Sequence, residues 1–377
     1  MIPSNHRIGR ILTPRGFIDG RVTWDGSGRI TNIEGTPVAA AAARDHAGPL
    51  VLPGFVDLHV HGGGGFDTME GDGATQRIAG LHARHGTTSM LATTMTAPVS
   101  DLTFAFRGLA AAVAERAPGA ARVLGVHLEG PYINAGKLGA QPDYTRPVLV
   151  DEIARLHALA PIRLITLAPE ADDNMAAIAP LRAAGFQVQI GHTLGSYEEG
   201  VRALALGAGG FTHLFNAMTG MHHRQPGMVG AALAHAVHAE IIPDLLHVHP
   251  GAIKAALRAI PCLYCVTDST AAAGMPDGDY KLGRLTVTKC LGGVRLADGT
   301  LAGSTLTMDQ ALRNLVGALG LDLADASRRV STFAADHIGL SDRGRLQTGA
   351  WADMVLVDRD LNLHEVIIEG AAVDPHA

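Results

Sequence analysis

The chain has 377 residues, 47% of them hydrophobic and 18% charged, a composition that packs into a core and excludes a disordered polar chain. A net charge of −6 offers no broad attraction to nucleic acid, and no basic run interleaved with aromatics offers a local one. Three cysteines cannot build a disulfide framework, no apolar run reaches the ~20 residues of a membrane span, and the opening MIPSNHRIGRIL lacks the apolar core of a secretory signal. The expectation is a soluble cytoplasmic protein with no nucleic-acid or membrane partner.

The first 52 residues hold short β-like pieces, RILTPRGFIDG and RVTWDGSGRITNIEG, with Asp25-Gly26 and Gly28 marking a hairpin. The same style returns after about residue 340 in GRLQTGAWADMVLVDRDLNLHEVIIEG, where Met354 to Val357 and Glu365 to Ile368 read as strands. The simplest arrangement packs residues 1–52 and 341–377 together as one small β-sandwich, leaving residues 53–340 as the main domain.

That middle begins with VLPGFVDLHVHGGGGFD, an apolar run ending in His59 and His61. Residues two apart in a strand share a face, so these two histidines can grip one cation while Val60 faces the core. The glycines from Gly62 to Gly65 let the backbone turn away and leave that site open. They are not a dinucleotide loop, because no G-x-G-x-x-G opening a helix accompanies them.

Further apolar runs each deliver a metal-competent or acid–base residue: RVLGVHLEGP gives His127 and Glu129, FQVQIGHT gives His192, GFTHLFNAM gives His213 and Asn216, EIIPDLLHVHP gives His247 and His249, and LYCVTDST gives Asp268. Helical stretches separate them, at Ala74 to His85, Asp101 to Glu115, Asp151 to Leu159, Met175 to Ala184, Ser196 to Leu206 and Pro250 to Ala259. Eight strands alternating with helices imply parallel pairing through right-handed crossovers and a (β/α)8 TIM-type barrel, whose chemistry gathers at the carboxyl ends of the strands. An open doubly wound sheet would instead spread the same residues along an edge. Lys281 to Gly303 reads as a hairpin inserted in the barrel.

His59, His61, His192, His213 and Glu129 supply nitrogen and oxygen but no thiolate, which suits zinc and also iron, manganese or cobalt. A catalytic metal keeps a position open for water, and Asp268, after the eighth strand, is placed to take the water's proton and pass it to a leaving group. The pattern points to metal-assisted hydrolysis of an amide or ester. No G-x-S-x-G elbow supports a serine nucleophile.

These motifs carry a family resemblance. From VLPGFVDLHVHG through GVHLEGP, IGHT, THLFNAM, LLHVHP and VTDSTAAAG to LAGSTLTM, the chain resembles the N-acetylglucosamine-6-phosphate deacetylases of the amidohydrolase superfamily. The resemblance implies that Glu129, His192 and His213 bind the principal metal and that Asp268 is general base and then general acid. It implies that Asn216, Ala217 and Arg224 hold the substrate phosphate, Arg224 reaching across a homodimer interface, and that His247 meets the sugar or the scissile carbonyl. Leu306 would line the acetyl side, and Gln141 stands where many relatives carry a histidine that touches the sugar. The products would be glucosamine 6-phosphate and acetate, formed by metal-activated water. The pair His59 and His61, which some relatives lack, admits two metals per subunit rather than one, with Glu129 as bridging ligand. Leu245 occupies a place where a glycine is common.

Blander readings stand beside these. His222, His223 and His249 suit polar loops, Asp67 either shapes the glycine loop or touches substrate, and Cys262 and Cys265 suit the core of the strand leading to Asp268. The rival activities are deacetylation of N-acetylgalactosamine 6-phosphate, an amidohydrolase acting on a cyclic amide or amino acid without phosphate, and a sugar-phosphate sensor without turnover.

Overall fold

Each of the eight strands expected in the middle of the chain forms, in the expected order. In a computed structural model that describes residues 5–373, they run Phe55–Val60, Thr87–Thr94, Arg122–Glu129, Ile162–Leu167, Gln187–Ile190, Gly210–Phe211, His238–Ile241 and Cys262–Cys265. The first six pair side by side in one parallel sheet, and the last two pair parallel with each other. Main-chain bonds complete the ring: the Leu214 N–H donates to the Glu240 carbonyl at 2.9 Å, and the Asp268 and His61 N–H groups donate to the His59 and Ser269 carbonyls at 2.9 Å. The eighth strand thereby rejoins the first, and the site residues stand around a mouth rather than along an edge.

Alternation along the first strand sorts its residues as the pleat requires. Val56, Leu58 and Val60 join the large apolar core between strands and helices. Asp57, His59 and His61 take the other face. The barrel interior is consequently polar, with Asp57, His59, His127, Thr166, Gln189, Thr212 and Glu240 all fully buried. They satisfy one another, as buried polar groups must: His127 Nε2 meets Thr166 Oγ1 at 2.7 Å, Thr166 meets Thr212 at 2.7 Å, and Thr212 donates to Gln189 Oε1 at 3.1 Å.

The six expected helices lie within two residues of their anticipated bounds. The helix Tyr197–Ala205 shows why such starts are legible: Ser196 Oγ accepts from the Glu199 N–H at 3.2 Å while the Glu199 carboxylate accepts from the Ser196 N–H at 2.7 Å, a reciprocal capping box. Gly227–His235, Met308–Gly317, Leu323–Arg329 and Thr332–His337 are further helices outside those stretches. In the first of these, Met228 to Ala232 are buried consecutively, so no apolar stripe of helical period marks it.

The terminal pieces form one seven-stranded sheet, ordered Ala371–Val373, Leu363–Ile368, Met354–Val357, Leu50–Pro53, His6–Thr13, Gly16–Trp24 and Ile30–Pro37. It curls until its ends meet: the Trp24 indole donates to the Gly370 carbonyl at 3.1 Å, and the Ala352 N–H to that of Gly28 at 2.8 Å. Ile11, Val22, Trp24, Ile30, Val51, Met354 and Ile367 fill the fold of this sandwich. The opposite face, with Leu50, Leu52, Val355 and Val366, packs into the barrel's outer core. The expected insertion is a three-stranded antiparallel sheet rather than a simple hairpin, formed by Gly278–Leu282, Leu285–Cys290 and Gly293–Arg295.

Candidate metal centre

Strand ends set the geometry of the mouth. His192, His213 and Asp268 follow strands five, six and eight with φ of 48°, 29° and 49°, the left-handed region that costs a non-glycine residue about 1–2 kcal/mol. Such strain persists where surrounding structure enforces it, and here it turns three polar side chains inward together. Gly130, after Glu129, has φ 70°, and a Cβ there would come within 2.1 Å of Thr96 Oγ1. Only glycine lets the chain leave that strand so close to its neighbour.

Two sets of ligand atoms result. Glu129 Oε1 lies 3.1 Å from both His192 Nε2 and His213 Nε2, and those two nitrogens are 3.1 Å apart. On the other side, His61 Nε2 is 3.1 Å from Glu129 Oε2 and 3.2 Å from His59 Nε2, while Asp268 Oδ1 lies 3.5 Å from both of those nitrogens. Glu129 thus stands between the two sets and offers one oxygen to each. Its second oxygen also accepts from the Gln141 amide at 2.5 Å, and Gln141 Oε1 accepts from the Thr96 N–H at 2.7 Å.

The donor set fits a divalent cation. His192 Nδ1 faces the Lys137 carbonyl at 2.8 Å, which fixes the ring proton there and leaves the Nε2 lone pair facing inward. Lone pairs and carboxylate oxygens crowded at these separations repel unless positive charge lies among them. Glu129, Asp268 and Glu240 have only histidines as ion-pair partners among the described residues. The field shows in the titration of the rings. Burial pushes the His59 imidazole down, yet Glu129, Asp268 and Glu240 outweigh it and hold the ring well above the ordinary histidine value. Burial likewise pushes Glu129 up, but the surrounding histidines hold it well below the usual carboxylate range. The site stabilises added positive charge.

The remaining expected residues divide. Asn216, Ala217, Gln141 and His247 line one 370 Å³ cavity with Glu129, His61, His192, His213 and Asp268. His247 is anchored by Asp244, whose Oδ2 lies 2.6 Å from Nδ1; burial pushes this ring down, but that hydrogen bond outweighs it and holds it above the ordinary histidine value. Leu306 is buried and lines an adjoining cavity with Asp244 and Asp309 instead. Arg224 is exposed on the loop with His222 and His223 and does not line the cavity of its own chain. His127 is a neutral partner in the barrel network, burial lowering its pKa to about 3. His249 caps the helix Pro250–Ala259 by accepting from the Gly251 N–H. Asp67 clips the inserted sheet, accepting from the Gly283 N–H at 3.0 Å. Leu245 has φ 66°, a conformation that glycine enters without cost.

Sequence reasoning missed Lys137, among the described residues the one lysine or arginine lining the cavity, and the wall that Leu282, Thr300 and Leu301 contribute from the insertion. It also missed Glu240, whose signal was a lone carboxylate among the apolar Ala239, Ile241 and Ile242.

Comparison with known proteins agrees with this site. A sequence profile described as the amidohydrolase family matches residues 50–373. An N-acetylglucosamine-6-phosphate deacetylase of Lysinibacillus sphaericus is 40% identical, covering 86% of this chain and 85% of the relative. The chain belongs to the amidohydrolase family, among its N-acetylglucosamine-6-phosphate deacetylases. It is accordingly a hydrolase, and the family together with the ligand clusters indicates a divalent metal. An N-acetylgalactosamine-6-phosphate deacetylase of Escherichia coli O157:H7 is 37% identical over 97% of both chains. Among solved structures, a mutant deacetylase of Mycobacterium smegmatis in complex with N-acetyl-D-glucosamine-6-phosphate superposes with a TM-score of 0.89 at 35% identity, covering 98% of this chain and all of that one.

Proposed function

We propose that the protein hydrolyses the acetamide of N-acetylglucosamine 6-phosphate to glucosamine 6-phosphate and acetate. The observation that carries this reading is the meeting of Asp268 with two sets of nitrogen and oxygen ligands in one cavity. Glu129, His192 and His213 would hold the principal cation, and His59, His61 and Asp268 a second. Zinc suits these donors best, with iron, manganese or cobalt as alternatives. When bound, such a cation lowers the pKa of water and polarises an amide carbonyl.

The chain's own groups do the rest. Asp268 accepts the proton of the attacking water and delivers it to the departing amine, so no covalent enzyme intermediate is needed. His247, anchored through Nδ1 by Asp244, presents its other ring nitrogen toward the carbonyl or sugar. Asn216 and Ala217 face the phosphate and Gln141 shapes the sugar side, while Leu306, which lines the neighbouring cavity, is left without the acetyl contact that the resemblance implied. Arg224 lies outside its own cavity; on the resemblance alone, a homodimer would bring the partner subunit's Arg224 to the phosphate, where its planar fork suits the oxygens. On this reading residues 53–340 form the catalytic domain and residues 1–52 and 341–377 the small one, in a cytoplasmic enzyme; among the described residues no helix is long and apolar enough to cross a membrane.

The resemblance to the E. coli galactosamine enzyme supports a second reading with the same chemistry on the 4-epimer. Acetate release from the two sugar phosphates, measured side by side with zinc-replete protein, decides between them. Preference for N-acetylglucosamine 6-phosphate is expected. Preference for the other sugar moves the substrate assignment, and no release from either removes the deacetylase reading.

A further inference from the structure

Glu240 lies on the seventh strand, points into the barrel and is fully buried. It has no lysine or arginine partner among the described residues; its ion-pair partner is His59, itself fully buried, whose Nδ1 is 3.0 Å from Glu240 Oε2. An ionised carboxylate so far from water is tolerated only with a compensating cation and a full set of hydrogen bonds. The hydrogen bonds are present. Oε2 also accepts from the His213 N–H at 3.1 Å, and Oε1 accepts from the Gln189 amide at 3.3 Å and the Tyr264 hydroxyl at 3.4 Å. Tyr264 is its register partner on the eighth strand.

We propose that Glu240 is the positioning residue of a second cation site formed by His59, His61 and Asp268. The proposal rests on the metal-dependent reading above but not on which sugar is the substrate. With the ring proton held at Nδ1 by the carboxylate, the lone pair of His59 is fixed at Nε2, which faces His61 Nε2 at 3.2 Å and Asp268 Oδ1 at 3.5 Å. A carboxylate behind a ligating histidine both selects its tautomer and makes it a stronger donor. In the principal set the Lys137 carbonyl orients the His192 ring, and Glu240 meets His213 at its backbone N–H and not at its ring. Among the described residues the His61 and His213 Nδ1 atoms are buried without a partner, so His59 is the ring of the second set that those residues orient. A cation on the far side of His59 would add to the counter-charge that Glu240 draws from that ring.

Metal content tests this independently of turnover. Zinc-reconstituted protein, freed of excess metal by gel filtration, should carry two equivalents per chain. In Glu240→Gln, which preserves volume, one equivalent should remain tightly held and the other should bind about 10–100-fold more weakly. In a His59→Gln background, Glu240→Gln should cause no further loss, because the carboxylate acts through that ring. A merely structural carboxylate would lower both equivalents together or add its effect to His59→Gln, and either result overturns the proposal. One equivalent in the wild type, or two retained with unchanged affinity in Glu240→Gln, overturns it as well. Should Glu240→Gln fail to fold, Tyr264→Phe, which removes only one donor from Oε1, should weaken the second equivalent and not the first; unchanged binding of both would overturn the proposal.

Discussion

Two clusters of buried charge sit at opposite ends of the barrel strands and are resolved in opposite ways. At the amino end, where the terminal sheet joins, Glu369 accepts from Arg116 at 3.0 Å and Arg122 at 2.9 Å, and Arg343 joins it to Asp353, whose Oδ2 is 2.6 Å away. Three guanidinium groups there face two carboxylates. At the carboxyl end Glu129, Asp268 and Glu240 have, among the described residues, only histidines as counter-ions. The lower cluster is closed by its own fixed cations and has no need of a ligand. The upper cluster is balanced only by groups that can lose their protons, and it opens onto the cavity. The difference separates a group of charges that fastens two layers together from one that awaits a cation and a substrate.

If that contrast is correct, damage at the two ends should separate catalysis from stability. Replacing Asp268 should have the largest effect on catalysis: Asp268→Asn should lower kcat for deacetylation by roughly 10²–10⁴-fold, the usual contribution of a positioned general base. Steady-state assay checks this, and an unchanged kcat would remove Asp268 from proton transfer. At the other end, Arg343→Met strands the nearly inaccessible Asp353 and should cost roughly 3–5 kcal/mol in urea unfolding with kcat/KM of the folded enzyme unaltered. A loss of activity without a loss of stability would break the comparison.

The smallest effect is a pH dependence. Burial pushes the Glu369 carboxyl up, but Arg122 and Arg343 overcome it and hold it at about 2, below the ordinary 4.5. A folded-state value below the unfolded one means the stabilisation is complete above pH 4.5 and fades as pH falls from there toward 2. Over that interval Glu369→Gln should show a shallower decline in unfolding free energy than the wild type. Equal slopes would show that the lower cluster does not depend on this charge.

Much of the barrel was legible because its signals are local. An apolar run ended by a polar residue, a helix opened by a capping box and two histidines on one strand face are written within ten residues of each other. The helix Gly227–His235 was not, since burial on nearly all sides erases the period by which a helix is read. Asp67 was legible only as a choice between two roles, because its partner Gly283 lies on a separate insertion. Arg224 was given a substrate role by resemblance alone, and the single chain leaves it outside the cavity.

The sequence by itself determined the alternation of strands and helices, the chemical type of the ligands and the family to which the chain belongs. Each follows from short-range periodicity or from motifs whose residues lie close along the chain. The tertiary structure decided which ligands form a set, that Glu129 stands between two of them, and that Glu240 backs His59. The last of these joins residues 181 positions apart, and it exists only when closure of the barrel brings the seventh strand behind the first. A carboxylate in an apolar strand carries no local sign of the ring it will hold, because the hydrogen bond that defines its role is made by the fold.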